Sequence, residues 1–380
     1  MTHSGYDHQM QTLKRELVDF TMRRSPAYLR QRLADGCYIY GAGGYGRRIL
    51  ALLQQAGFEC RGVIDQKFDS GTGDVEGIPA INPSQLTPLQ VQGRCLVIGI
   101  HNERVNIEEI LASMSKFGFT EILWNADLPD ALGSEADNYW LTNRQFSIEH
   151  FEDFAVACAK LVDEESRDIF CSILRYRVTG EVSPRIKADI MGQYYPRDIL
   201  IFDTPVNFID GGGYIGDTYR HLSQQFDIAH WVAFEPDPKN FTKLVQATRN
   251  LRIPSVLFPC GLSDRLAHVP FMTDQGAASH AAAEAGGCAV SLTCLALDDV
   301  MHGYKPDYIK LDIEGAEIAA LFGMRGTIEA SRPCLAVSAY HQPDHLALVI
   351  ETLAVLAPYA KLHIRQHGEN AFDTVVYAVR

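Results

Sequence analysis

The sequence predicts an α/β protein of two domains, each a mostly parallel sheet with helices on its faces. Three observations carry this. Short apolar runs alternate with stretches of helical periodicity in two separate parts of the chain, the pattern of strands joined by helical crossovers. A glycine-rich turn follows the first apolar run in each part, at residues 41–46 and 211–216. Finally, 380 residues exceed what one ordinary core accommodates. The expected pieces are a first α/β domain over 1–128, a linker and helical connector over 129–190, and a second α/β domain over 191–380.

Residues 10–33 carry Leu13, Leu17 and Phe20 at helical spacing, and Pro26 opens a second helix rather than sitting inside the first. That apolar face packs on its own domain or joins two subunits, which leaves a homo-oligomer open. Strands follow at 37–40, 61–64, 96–100 and 121–124, with helices at 45–56 and 105–116. Residues 71–88, rich in Gly, Pro and Thr, form a surface connection. Between 125 and 143, Asp, Pro, Gly, Ser and Asn dominate and periodicity fades, as in a linker. A helix resumes over 151–177, and 184–205 is an irregular, aromatic-bearing approach to the second domain.

There the strands fall at 206–209, 231–234, 255–258, 307–311 and 334–337. The helices between and after them fall at 217–226, 238–250, 316–328 and 346–356. The chain closes on alternating runs at 361–365 and 374–379 joined by residues 367–370. So short a connection makes that pair antiparallel, since parallel strands need a crossover of a dozen or more residues.

Composition narrows the function classes. Apolar residues are 47% and charged residues 21% of the chain, a globular balance. Lys and Arg number 34 against 47 Asp and Glu, a formal charge of −13, which argues against a broad nucleic-acid surface. No stretch approaches the roughly 20 apolar residues of a membrane span. The opening residues show no apolar h-region. Nine cysteines without a C-x-x-C pair read as reduced core residues. A cytoplasmic protein without membrane or nucleic-acid partners is expected.

Ile209-Asp210-Gly211-Gly212-Gly213-Tyr214-Ile215-Gly216-Asp217 lies where a strand meets its helix. Consecutive glycines permit close backbone approach to a ligand, and a helix start offers unpaired N–H groups. The next strand ends in Phe234-Glu235-Pro236, about 20 residues on, where an acid can accept both hydroxyls of a ribose. Together they mark an adenosine-containing ligand; a tight turn without ligand is the alternative. Ser263-Asp264 falls where an adenine-edge contact would lie, and equally suits an Asx turn.

Tyr308-Ile309-Lys310-Leu311-Asp312-Ile313-Glu314-Gly315-Ala316-Glu317 puts Lys310 and Asp312 on one strand face. Glu314 and Glu317 follow on the expected first helical turn. Acids there can simply start a helix. Asp312 and Glu314 also share the carboxyl edge of the sheet with Asp210 and Glu235, where open α/β sheets bind ligands.

The segments FIDGGGYIGDT, VAFEPDPKNFTKL, YIKLDIEGAE and LHIRQHGENAFDTVVYAV resemble the FkbM family of S-adenosylmethionine-dependent methyltransferases, over roughly residues 194–380. The parallel sheet closed by an antiparallel pair is likewise the outline of a class I methyltransferase. The resemblance implies that Asp210, Gly211, Gly213, Gly216 and Asp217 line the methionine end of the donor. It also implies that Glu235 holds the ribose and that Ser263 and Asp264 lie near adenine. The family pattern often has Ala-Asn where this chain has Gly212-Gly213-Tyr214, which leaves the contacts at that point open.

The activity implied is O-methyl transfer to a sugar, glycan or other small hydroxylated metabolite. Deprotonating a hydroxyl needs a base, for which Asp312, Glu314 and His341 are candidates, His341 being otherwise a satisfied loop residue. Lys310 could orient an acceptor, pair with Glu314 or be solvated. Asp312 and Glu314 could instead hold a divalent cation that lowers the acceptor pKa. Residues 277–289, rich in small side chains, suit a mobile loop over the pocket or an idle insertion.

The first glycine loop, Tyr40-Gly41-Ala42-Gly43-Gly44-Tyr45-Gly46, fits G-x-G-x-x-G between a strand and a helix. Asp65 ends the next strand about 20 residues later. This segment resembles Rossmann-like domains found beside sugar-modifying enzymes. Gly41, Gly43, Gly46 and Asp65 are thus candidates for a second nucleotide site. The alternative is a fold kept for packing, oligomerisation or acceptor recruitment. Two other readings stand beside the methyltransferase: a nicotinamide- or nucleotide-sugar-dependent enzyme using this domain, and a non-catalytic ligand-binding protein.

Overall fold

The computed structural model describes residues 3–69, 73–119, 121–183, 186, 188–272 and 289–380. The chain divides into two units. Unit 1 comprises Met1–Ala155, Asp168–Ala188 and Gly368–Phe372; unit 2 comprises Val156–Arg167, Asp189–His367 and Asp373–Arg380. Among the described residues no helix is long and apolar enough to cross a membrane.

Unit 1 is built on six strands: β1 (Cys37–Tyr40), β2 (Cys60–Ile64), β3 (Gly73–Val75), β4 (Ile78–Ile81), β5 (Cys95–Ile98) and β6 (Glu121–Leu123). Their order is β3-β4-β2-β1-β5-β6. All pair in parallel except β3 with β4. The central strands, CYIY and CLVI, are buried along their whole length, as parallel strands covered on both faces must be. Helix Gly44–Gln55 covers the sheet with Ile49, Leu50 and Leu53. Helix Pro26–Ala34 adds Leu29 and Leu33, and its Ser25 cap accepts the Tyr28 N–H.

Two expectations change here. Residues 71–88 are not a plain connection, because β3 and β4 form a hairpin about Glu76 and Gly77, both at positive φ (54° and 80°). That is the turn geometry two-residue hairpins favour. Strands of three and four residues, mostly half-exposed, leave no alternating pattern to read.

The stretch 125–143 is also more than a linker. It folds into helix Asp127–Leu132 and buries Trp140 and Leu141. Its acids are internal ion-pair partners. Asp127 takes Arg24 at 2.8 Å and Arg144 at 2.7 Å, and Arg144 also reaches Asp130 at 2.8 Å and donates to the Val178 carbonyl. Arg144 is buried, with 1% of its surface exposed. A hydropathy reading cannot distinguish such buried, paired acids from solvated ones.

Unit 2 holds β7 (Val206–Gly211), β8 (Ile228–Phe234), β9 (Ser255–Phe258), β10 (Gly261–Leu262), β11 (Ala267–Met272), β12 (Ala289–Leu295), β13 (Tyr308–Leu311), β14 (Cys334–Ser338), β15 (Lys361–Gln366) and β16 (Thr374–Val379). Seven of them make a sheet of order β15-β16-β14-β13-β7-β8-β9. It is parallel from β14 to β9, and β16 runs antiparallel to both β14 and β15. This is the terminal pair expected from the short connection. Phe208, Trp231, Tyr308 and Tyr377 fill one side of the sheet.

The small sheet β10-β12-β11 was not legible beforehand. Most of the expected pocket loop, 277–288, lies outside the described residues, and Ala289 begins β12. The single helix expected over 316–328 is two, Glu317–Gly323 and Arg325–Ser331. The expected connector, 129–190, is shared out by its contacts. Residues 156–167 join unit 2, where Lys160 pairs with Glu351 and Asp163 binds Ser166 and His363.

Replacing Arg144 by Met would leave Asp127 and Asp130 buried with less positive charge beside them. A loss of roughly 3–5 kcal/mol is expected for breaking such a pair, measured as a lower urea midpoint for the variant.

Candidate functional site

The site of unit 2 is assembled at the carboxyl ends of β7, β8, β13 and β14. The strand order reverses between β7 and β13, which is where open α/β sheets form a ligand crevice. Asp210 and Lys310 are direct register partners on those two strands. Lys310 Nζ lies 3.1 Å from Asp210 Oδ1 and donates to the carbonyls of Gly211 (3.0 Å) and Gly212 (2.7 Å). It also stands 5.3 Å over the Tyr194 ring. Burial opposes the lysine charge, but Asp210 and Asp312 outweigh it and raise its pKa. Burial lifts Asp210 to about 6 against the pull of Lys310. Lys310 is therefore an internal strut holding the glycine loop. It pairs with Asp210 rather than Glu314 and does not lie in solvent.

The loop is glycine-rich chiefly because protein packs against it. Gly212 has φ +79°, and a Cβ there would sit 1.9 Å from the Asp312 carbonyl oxygen. At Gly211 the space is taken by Leu311, at Gly213 by Ala233 and Leu244, and at Gly216 by Leu244 and Trp231. Asp217 is exposed at the start of helix Asp217–Leu222.

Glu235, one residue beyond β8, clamps this loop. Its Oε2 accepts the Tyr214 N–H at 2.9 Å and its Oε1 accepts the Asp237 N–H at 2.8 Å. It is buried, and burial lifts its pKa to about 7 despite those two donors. A carboxylate oxygen has two lone pairs, so each keeps one for a further donor. Ser263 follows β10, and its hydroxyl donates to Asp264, which also pairs with Arg265 at 3.0 Å. Asp264 is exposed in this local turn.

The acidic cluster differs from its sequence reading. Glu314 is not on a helix: it and Gly315 have φ of 55° and 100°, and the helix begins at Glu317. Glu317 closes that turn by accepting the Ile313 N–H at 2.8 Å. His341, after β14, is buried among the acids. Its Nδ1 is 2.9 Å from Glu317, and its Nε2 is 3.4 Å from Asp312 and 3.8 Å from Glu314. Burial works against its charge, but Glu317, Glu314 and Asp312 together push its pKa up to about 10. The raised pKa favours the imidazolium form, which cannot accept a proton.

Asp312 accepts the Tyr194 hydroxyl at 2.7 Å and the Tyr340 hydroxyl at 3.4 Å. Burial would raise its pKa, yet Lys310, His341 and the Tyr194 bond outweigh it and hold it low. Glu317 is low for a similar reason: His341 and His345 outweigh its burial. Glu314 alone goes the other way. Burial first, then Asp312, Glu317 and Asp373, outweigh His341 and lift it to about 8. Its buried Oε2 has no hydrogen-bond donor.

Asp312, Glu317 and His341 each bring one donor atom within 4.8 Å of the others. They, rather than the pair Asp312 and Glu314, are spaced to surround a cation. Tyr340 is the member that sequence reasoning assigned no role, and Glu317 the one it read as starting a helix. Tyr194 is 118 residues from Asp312, and no local pattern announces that contact. The other predicted set lies in unit 1, with Gly41, Gly43 and Gly46 after β1 and Asp65 after β2.

Residues 210–367 match the family model of the methyltransferase FkbM domain. This segment is an FkbM methyltransferase domain. The FkbM domain thus runs from Asp210, near the end of β7, to His367, just past β15, and contains the cluster above except Tyr194. Methyltransferase FkbM from Methylobacillus flagellatus KT is similar in fold across 98% of this chain and 99% of its own, with a TM-score of 0.81 at 20% identity. A candidate rRNA methylase from Clostridium thermocellum covers 51% of this chain and 98% of its own at 9% identity, with a TM-score of 0.34. The plantazolicin methyltransferase BamL, solved with S-adenosylhomocysteine, covers 58% and 73% at 9% identity, with a TM-score of 0.26. The last two superpose too loosely to inform on function. None of the curated proteins matches the chain.

The His341 ring should titrate near pH 10 in NMR spectra, and Glu317→Gln should bring the midpoint down. Because the folded value is raised, the stability from this cluster is fully present below the unfolded pKa of about 6.5. It is lost as pH rises through about 10, by linkage. Urea midpoints measured across that window check the direction.

Proposed function

We propose that the FkbM domain binds S-adenosylmethionine and transfers its methyl group to a hydroxyl of a small molecule, sugar or glycan, with Glu314 as general base. The observation that carries the donor assignment is the Glu235 clamp. Its two oxygens each hold one backbone N–H and each keep a lone pair, which matches the vicinal hydroxyls of a ribose. The donor, when bound, supplies an electrophilic methyl group on a sulfonium. Asp312 and Glu317, joined by Glu314 when it ionises, outnumber the nearby charges of His341 and of Lys310, which Asp210 already pairs, and favour a cation beside them.

Glu314 is the base best matched to the task. A general base works best with a pKa near the operating pH, and Glu314 is raised to about 8 while Asp312 is held low. Asp312 and the Tyr194 hydroxyl it accepts fix one wall of the site. His341, charged, offsets part of the burial and repulsion that raise Glu314.

Calorimetric titration with S-adenosylmethionine and S-adenosylhomocysteine tests the first step. Micromolar-range binding, on the order of 1–100 μM, is expected and should be lost in Glu235→Ala. Absence of binding by both ligands to the native chain refutes the proposal. Turnover on a panel of hydroxylated acceptors should rise with pH through a value at or below about 8, since a bound cation pulls Glu314 down. Glu314→Gln should lower kcat roughly 10²–10⁴-fold and flatten that limb. Binding without turnover on any acceptor would favour the non-catalytic reading. Repeating the assay with EDTA and with added Mg²⁺ reads the divalent-cation alternative; stimulation by the ion would assign Asp312, Glu317 and His341 to it.

A further inference from the structure

Unit 1 repeats the acid clamp of unit 2 on a different sheet. Asp65 stands one residue beyond β2, as Glu235 stands one beyond β8. Its Oδ2 accepts the N–H of loop residue Ala42 at 2.8 Å, and its Oδ1 accepts the N–H of Lys67, two residues on, at 3.0 Å. Glu235 likewise takes one N–H from its glycine loop and one from the residue two positions on. One lone pair remains on each Asp65 oxygen as well. The strand order places β1 and β5 at the reversal of direction in this sheet, where the ligand crevice of a doubly wound fold lies.

The glycines of the first loop divide into two kinds. Gly41 and Gly46 are enforced by packing, since a Cβ on Gly46 would lie 2.0 Å from the Gly41 carbonyl oxygen. At Gly43 and Gly44 a Cβ would meet nothing within 4 Å. Open space therefore lies against the start of helix Gly44–Gln55, which is 12 residues long and has Gly43 as an N-cap without a capping side chain. Its first-turn N–H groups face that space without a side-chain acceptor.

An independent observation also points to a ligand there. His101 follows Gly99 and Ile100, which pack against Gly41 and Gly46. Its ring is 5.6 Å from that of Tyr45, the second residue of the helix. His101 is buried, with 6% of its surface exposed. Asn138 Nδ2 donates to its Nδ1 at 2.8 Å, which puts the ring proton on Nε2. That buried Nε2 has no hydrogen-bond partner, nor has the buried Tyr45 hydroxyl. Burial pushes the His101 pKa down to about 3, so the ring is a neutral donor. Two buried polar atoms on residues flanking the glycine loop thus lack a partner within the chain, where buried polar groups are normally paired.

We propose that unit 1 binds the ribosyl diphosphate portion of a nucleotide, the diphosphate on the N–H groups opening helix Gly44–Gln55 and the ribose hydroxyls on Asp65. Dinucleotides and nucleotide sugars share this portion. The test titrates the full chain, held in saturating S-adenosylhomocysteine, separately with NADH, ADP and UDP-glucose. At least one should bind, and Asp65→Asn and Gly43→Val should each weaken it on the order of tenfold. Affinity for S-adenosylhomocysteine should not change in either variant. NADH preference would name a dinucleotide, and UDP-glucose preference a nucleotide sugar. Three results overturn the proposal: no probe binding at millimolar concentration, binding unaffected by either variant, or binding seen only when S-adenosylhomocysteine is left out. Should Gly43→Val fail to fold, Asp65→Asn alone decides.

Discussion

The buried pair of Lys310 and Asp210 is the interaction on which the methyltransferase half depends. Two charges taken out of water are expensive unless geometry and extra hydrogen bonds repay them. Here they are register partners on adjacent central strands, and the remaining lysine protons go to the Gly211 and Gly212 carbonyls. That fixes the glycine loop against the end of β13, where a Cβ on Gly212 would collide with the Asp312 carbonyl. The loop in turn fixes Tyr214, whose N–H orients Glu235. One ion pair thus sets the positions of the Glu235 clamp and of Asp312.

Around that frame the carboxylates are differentiated by what surrounds them. Asp312 has two tyrosine hydroxyls and two cations near it and stays ionised. Glu317 has backbone N–H groups and two histidines. Glu314, lifted out of helical geometry by its left-handed turn, lacks a donor for Oε2 and is left with repulsion and burial. Neighbouring acids pushed to opposite protonation states are how a site divides its labour.

Much of the fold was legible because it rests on period and on glycine. Parallel strands such as CYIY and YIKL are continuous apolar runs, and the short 367–370 connection dictated an antiparallel ending. What escaped reading was of another kind. The strands about Glu76 and Gly77 are too short to show alternation, and the acids of 125–143 looked solvated although Asp127 is fully enclosed. Asp210, Glu235, Asp312, Glu314 and His341, picked out at or just after strand ends, are placed by the structure at the carboxyl edge of one sheet. The roles of Lys310 and His341 were not legible, since they depend on which charges a third dimension brings near. Tyr194 was reachable only through contact across 118 residues.

The two acid clamps also bear on how the proposed ligands would enter. In each, both carboxylate oxygens are already anchored by backbone N–H groups before any ligand is present. The acid therefore cannot swing away when its ligand leaves, and little side-chain freedom remains to be lost when one arrives. Arrival completes an existing hydrogen-bond set instead of rearranging one. Residence time at either clamp should accordingly be governed by how the rest of the ligand is gripped, and exchange at the ribose end should be quick.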